Sequence, residues 1–324
     1  MSPPQNIKKY ISKEQSKCIL LISIYNLDRI PEITELLLRN HIKIDVSFAN
    51  KNKNHKLTKL FINTFRDRIL RIRYHDNYGA DVAPFLRQIV SLDSEKFPYF
   101  IKLHSKASLI GEKLQVDWGS FLISGLLHSS DLYTNLKILS KPYIGMMVHP
   151  GLILKDAEFN NSDKIQQICS LLQLPYNKLQ RGEFPAGNMF MSKTSIFQKY
   201  FSTKQAYIDT LLSQEKGKVN DSDYAEGTYS HALERVFGYI IANSNKKIIN
   251  HPLQYNNYQL FNEKHRKLHL NISYNNLCYL EEDINIAGKI ISQSSSHMQI
   301  QWLHLDDKPI IEYNIFDRKK IKRC

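Results

Sequence analysis

Between residues 17 and 76 two apolar periods alternate, and that alternation is the strongest constraint on the fold. "KCILLISIYN" is a continuous apolar run of strand length, and "RIPEITELLLRN" follows it with Ile30, Ile33, Leu36 and Leu37 at helical spacing. "KIDVSFAN" predicts a second strand, "HKLTKLFINTF" a second helix and "RILRIRYHDN" a third strand. A β-α-β-α-β start implies parallel strands with helices on the faces of the sheet, hence an α/β fold. Open sheets of this kind bind ligands beyond the carboxyl ends of their strands, so polar residues at those ends become the first candidates for a site.

The third strand runs into "NYGADVAPFLRQ", where Asn77 and Gly79 make a turn, Asp81 follows and Pro84 opens an amphipathic segment with Phe85, Leu86, Ile89 and Val90 on its apolar side. Pro is tolerated in a first helical turn, so Asp81 has two readings: a binding carboxylate or the start of an ordinary helix. "YFIKLHSKAS" predicts a short strand, Tyr99 to Leu103, ending in His104, Ser105 and Lys106. After two helical patterns and the strand "YIGMMVHPG", the helix "KIQQICSLLQL" leads to "EFPAGNMFMSK". This is a turn of Pro185, Ala186, Gly187 and Asn188 before a short apolar strand, and Gly and Asn there let backbone approach a ligand closely.

"DYAEGTYSHALERVFGYIIA" predicts a long helix with Leu233, Val236, Phe237 and Ile240 on one side and His231, Glu234, Arg235 and Gly238 on the other. The second side reads as an ionisable cluster or as a solvated ion-pair face, and Asp223 with Glu226 has capping-box spacing.

Length and composition bound the rest. A chain of 324 residues suits one large domain, or a domain of roughly 200 to 250 residues with an appendage. With 42% hydrophobic residues a real core is expected. The four cysteines, Cys18, Cys169, Cys278 and Cys324, have no paired spacing, which fits a reducing compartment and gives no zinc signature. No signal peptide or membrane span is expected, so the chain reads as cytoplasmic. A formal charge of +13 favours polyanionic partners: nucleic acid, anionic lipid or phosphorylated substrate. Past residue 250, "CYLEEDINIAGKIIS" and "HMQIQWLHLDDKPIIEYNI" read as short strands, giving a division into 1–250 and a β-rich extension, 251–324.

Taken in order, "NYGADVAPFL", "FIKLHSKAS", "FPAGNMFMSK" and "EGTYSHALERVFG" resemble the rhamnan synthesis protein F family of bacterial polysaccharide glycosyltransferases, over roughly residues 18 to 245. The resemblance implies a GT-A-like nucleotide-sugar fold, with a mostly parallel sheet flanked by helices. It also implies transfer of rhamnose or a related deoxysugar from a dTDP-linked donor to a growing O-antigen, capsule or rhamnan. Its acceptors are lipid-linked glycans, so peripheral association with the inner face of the bacterial inner membrane is implied too.

On that resemblance Ser23, Tyr25, Asn50, Asn77, Gly79, Asp81, His104 and Lys106 are candidates for binding the donor. Trp118, Ala186, Gly187 and Asn188 are candidates for the acceptor or sugar, and Glu226, His231 and Glu234 for the base. The Asp-x-Asp that holds metal at the end of the fourth GT-A strand is replaced by His104-Ser105-Lys106. No metal is therefore expected to be required, although Mg²⁺ or Mn²⁺ at Asp221 and Asp223 is the alternative. Rival readings are a non-catalytic carbohydrate-binding or scaffold member of the fold and a nucleic-acid-binding protein. The second has no recognised binding module in its favour.

Overall fold

The first strand, β1 (Cys18–Ile24), is buried at every position, as a strand covered on both faces must be. The computed structural model describes residues 16–76, 78–105, 122–123, 126–127, 132–149, 152–155, 161–176, 182–215 and 227–251, and the strands at 286–293, 298–304 and 311–314. From β1 the chain enters α1 (Ile30–Leu38), which has Pro31 in its first turn and buries the four residues whose spacing predicted it. β2 (Lys43–Ala49), α2 (Lys56–Thr64) and β3 (Ile69–His75) complete the β-α-β-α-β unit. Next come α3 (Val82–Val90), β4 (Tyr99–His104), α4 (Leu132–Leu139), β5 (Ile144–Val148), β6 (Ile153–Lys155), α5 (Ser162–Leu171) and β7 (Glu183–Pro185). The remaining elements of this part are β8 (Phe190–Lys193), α6 (Thr194–Phe201), α7 (Gln205–Ser213), α8 (Tyr229–Asn243) and β9 (Lys247–Asn250).

The protein is an α/β fold on a seven-stranded sheet of order β3-β2-β1-β4-β8-β5-β9. β1 pairs in parallel with both β2 and β4, β2 with β3, and β5 with β9, whereas β8 pairs antiparallel with β4 and with β5. One reversed strand thus sits inside an otherwise parallel sheet, and the helices lie on the sheet's faces. β6 and β7 form a separate antiparallel pair.

The face that carries α3, α6 and α8 is packed with phenylalanine. Phe85 of α3 lies 5.5–5.9 Å, centroid to centroid, from Phe100, Phe190, Phe197 and Phe237, the range in which edge-to-face aromatic pairs are favourable. All five are essentially sealed from water. On the other face Phe48 of β2 meets Phe61 of α2, itself packed on Phe65. The chain divides into two compact units. The second contains the three-stranded antiparallel sheet of β10 (Ile286–Gln293), β11 (Met298–His304) and β12 (Ile311–Asn314). Among the described residues no helix is long and apolar enough to cross a membrane.

Candidate functional site

The strand order locates the site. From β1 the chain winds outward through β2 to β3, then returns across the sheet to β4 on the other side of β1. The carboxyl ends of β1 and β4 therefore flank a topological switch point, the crevice where open α/β sheets hold ligands. Backbone and side chains knit these two ends together. The Ser105 hydroxyl accepts from the N–H groups of Tyr25 and Asn26, each at 2.8 Å, and the Ser105 N–H donates to the Ser23 carbonyl at 2.9 Å. The Asn52 amide donates to the Tyr25 carbonyl at 2.8 Å, and the Lys51 ammonium lies 4.0 Å from the centroid of the Tyr25 ring. Asn50 donates to the Asp76 carboxylate at 2.7 Å. Three of the donor candidates, Ser23, Tyr25 and Asn50, thus occur at adjoining strand ends.

Beside them sits a charged cluster drawn from three segments. After β3 the chain turns through Gly79 and Ala80, both at positive φ. A Cβ on Gly79 would stand 2.8 Å from that of Ala83, so a side chain there is opposed by both space and backbone. The turn delivers Asp81 to the start of α3, where its carboxylate caps no helical N–H. Instead it accepts from the Lys102 ammonium and, at 2.6 Å, from the Asn188 amide. The same ammonium donates to the Asn188 carbonyl at 2.6 Å and lies over the rings of Phe85 and Phe190, at 5.3 and 5.8 Å. His104 Nε2 is 3.1 Å from the Gly187 carbonyl and 3.7 Å from the Asp81 carboxylate.

Asp81 thus stands at the N-cap position of α3, as a helix start would have it, but its carboxylate is held by Lys102 and Asn188 and makes no cap bond. Ala186 and Gly187 form the turn expected from sequence: the Asn188 N–H bonds the Pro185 carbonyl at 3.0 Å, with Gly187 at φ +80° in the third position, where a type II turn requires it. On the family resemblance Lys102 is a candidate helper of Lys106 and His104 in neutralising the leaving group; the structure instead seals its ammonium among the rings of α3 and β8, which the local sequence does not signal.

α8 corrects two expectations. Its cap is Thr228, whose hydroxyl accepts from the His231 N–H at 3.2 Å, so the capping box at Asp223 and Glu226 is not what starts the helix. Glu215 adds a remote second cap, its carboxylate accepting from the N–H groups of Tyr229 and Ser230 while burial pushes its pKa up. Nor is the side carrying Arg235 and Gly238 solvated. Arg235 is buried over the Phe184 ring at 4.7 Å, and a Cβ on Gly238 would overlap the Glu183 carbonyl at 1.8 Å. A glycine in mid-helix was the available signal for this close approach to β7. The His231 imidazole bonds the Thr228 hydroxyl at 2.7 Å, and Glu234 pairs with Arg235 at 3.0 Å. The described bonds of these two base candidates are to α8 and its cap, not to Asp81. Asn77, Lys106, Trp118, Asp221, Asp223 and Glu226 lie outside the described residues.

The donor set at the end of β4 does not suit a hard divalent cation. Asp81 already has the Lys102 ammonium on its carboxylate, His104 faces a carbonyl, and the Ser105 hydroxyl is occupied by two N–H donors. Among the described residues no group of three or more potential metal ligands converges.

The family model for rhamnan synthesis protein F matches residues 4–246, three quarters of the chain. The chain belongs to that family. The rhamnan synthesis F region includes β1 through α8, and with them every member of the Asp81 cluster. Membership connects the protein to rhamnan synthesis, a role in polysaccharide biosynthesis. No curated protein matches the chain.

Proposed function

We propose that the protein is a glycosyltransferase that moves rhamnose or a related deoxysugar from a dTDP-type nucleotide sugar to a lipid-linked glycan acceptor. The observation that carries this reading is the Asp81–Lys102–Asn188–His104 cluster at the switch point of a sheet in a polysaccharide-synthesis family. A carboxylate pinned from beneath by an ammonium and an amide is a fixed acceptor for sugar hydroxyls. The adjoining ends of β1 and β2, with Tyr25 and Asn50, are suited to a nucleoside.

Loss of a diphosphate leaving group requires its developing charge to be neutralised. In this proposal Lys106, just beyond the described end of β4, supplies that charge with His104, and Lys102 does not, because its ammonium is sealed and engaged by Asp81. The acceptor hydroxyl gives up its proton to a base from the region of Glu226, His231 and Glu234. Trp118 is proposed as an acceptor-binding residue, and the reaction to proceed without Mg²⁺ or Mn²⁺. The basic chain would work in the cytoplasm at the inner face of the membrane as a peripheral protein.

Thermal unfolding against dTDP-, UDP- and GDP-linked sugars tests this, since a ligand of the native state raises its stability by mass action. One nucleotide class should raise Tm equally with EDTA and with Mn²⁺, and Asp81→Asn should abolish the rise. A rise seen only with metal would move the site to Asp221 and Asp223, and no rise with any donor would favour a scaffold protein.

A further inference from the structure

Six large apolar side chains stand exposed among the described residues, and four of them, Leu38, Leu60, Leu70 and Ile72, belong to α1, α2 and β3. β3 is the outermost strand of the sheet on that side. Leu70 and Ile72 are 43% and 39% exposed and, two residues apart, share one face of the strand. Arg71 and Arg73 take the other face, where both reach the Ser91 hydroxyl at 2.6 Å. Ile62 of α2, Arg66 just after it, and Ile69 join Leu70, Arg71 and Ile72 around one shallow concavity. The stretch is cationic: residues 56–73 hold six Lys and Arg against one Asp; Arg71 and Arg73 pair with Asp45 on the other face, while Lys59 and Arg66 stand exposed beside Ile62.

An edge strand that no described strand covers and that carries exposed aliphatic side chains is a template for association, so its occupant must satisfy both features. A second copy satisfies only one of them. Antiparallel pairing of β3 with itself would set Arg71 and Arg73 close to the same residues of the other copy, and like charges across a strand pair repel. An anionic lipid surface satisfies both. Leu70, Ile72 and Ile62 can enter the headgroup boundary while Arg66 and Lys59, on the same side of α2 as Ile62, reach lipid phosphates along their aliphatic stems.

We propose that the β3 edge, with the adjoining side of α2, is the surface by which this protein docks on an anionic membrane. The proposal rests on the peripheral membrane association put forward above and names its contact face, and its evidence is independent of the donor reading. Docking there leaves the candidate site open. β4 is three strands from β3, about 14 Å at the usual interstrand spacing, and the Asp81 cluster lies at the carboxyl ends of the strands and not along the edge.

The test is co-sedimentation of the full chain with vesicles of phosphatidylcholine alone and of equimolar phosphatidylcholine and phosphatidylglycerol, at low and high salt. The protein should bind the anionic vesicles, lose most binding at high salt, and ignore the neutral ones. Leu70→Ser with Ile72→Ser should weaken binding on the order of tenfold or more, whereas Tyr207→Ser, at another exposed apolar residue, should leave it unchanged. Equal binding by the β3 variant, or no vesicle binding by the parent protein, overturns the proposal. So does a dimer in solution that the β3 substitutions dissociate. Thermal shifts with nucleotide sugars, run on the same β3 variant, separate the two readings: they should persist when vesicle binding is lost. Their absence in the parent protein would count against the donor reading alone.

Discussion

Two carboxylates stand against opposite ends of α3, each with cationic partners and a side-chain amide, and they are built inside out relative to one another. At the end of the helix, Asp45 of β2 is 1% exposed, while its guanidinium partners Arg71 and Arg73 are 43% and 25% exposed. Gln88 supplies the amide, bonding the Asp45 carbonyl at 2.8 Å and its carboxylate at 3.2 Å. At the start of the helix the order is reversed, with the Lys102 ammonium 2% exposed and the Asp81 carboxylate 18% exposed. In the first cluster the anion is sealed and the cations face water; in the second the cation is sealed and the anion faces out. The exposed member is the one a ligand can meet. The first cluster fastens α3 to the sheet, and the second offers a carboxylate at the strand ends.

The contrast is broken most directly by removing each carboxylate. Asp81→Ala strands an ammonium in a sealed, ring-lined position, and losing one partner of a buried pair costs about 3–5 kcal/mol. Chemical denaturation should show that loss. It should also show most of it recovered in the double variant Asp81→Asn with Lys102→Met, which removes both charges. Donor-dependent stabilisation should stay absent from the double variant, and its return would reduce the cluster to a fold-holding role.

Acid provides the next largest effect. Burial pushes the His251 imidazole down to about 4, below its ordinary 6.5. Between those values the unfolded chain takes up a proton that the folded chain refuses, so stability is fully present above 6.5 and is lost as the pH falls toward 4, by ~3 kcal/mol. Asp45 works in the opposite direction. Burial, opposed chiefly by the Arg73 charge, holds its carboxyl above the ordinary value, so the folded state retains that proton longer and the group favours folding on the acid side. Tm measured against pH should fall through the His251 window, and His251→Gln should flatten that fall.

The smallest change is expected at Asp45 itself. Asp45→Asn keeps an acceptor for Gln88 and leaves two arginines that water already solvates, so its effect should stay within about 1 kcal/mol. A loss as large as that of Asp81→Ala, measured by the same denaturation, would mean that the two clusters are equivalent.

Much of this architecture was legible in the sequence because it depends on local periodicity. The β-α-β-α-β opening, the Gly187 turn and the apolar side of α8 follow from spacing, and Asp81 was conspicuous because a polar turn follows a strand there. What stayed hidden depends on partners distant in the chain. The burial of Lys102 requires Phe85 and Phe190 from two other elements, and Arg235 is covered by Phe184 of β7. The reversed direction of β8 has no signature of its own, since a four-residue strand, Phe190–Lys193, reads the same way along either direction of the sheet.

That reversed strand limits how this part of the site can vary. The turn at Gly187 and Asn188 leads directly into β8, whose register against β4 places Phe190 opposite Lys102 and Met191 opposite Ile101. Lengthening the turn by one residue would either open a gap in the ladder or slide β8 by one step, exchanging its two faces and taking the Phe190 ring away from the ammonium it covers. The turn therefore resists insertion, whereas the segment between β3 and α3 leads into a helix and has no such register to keep.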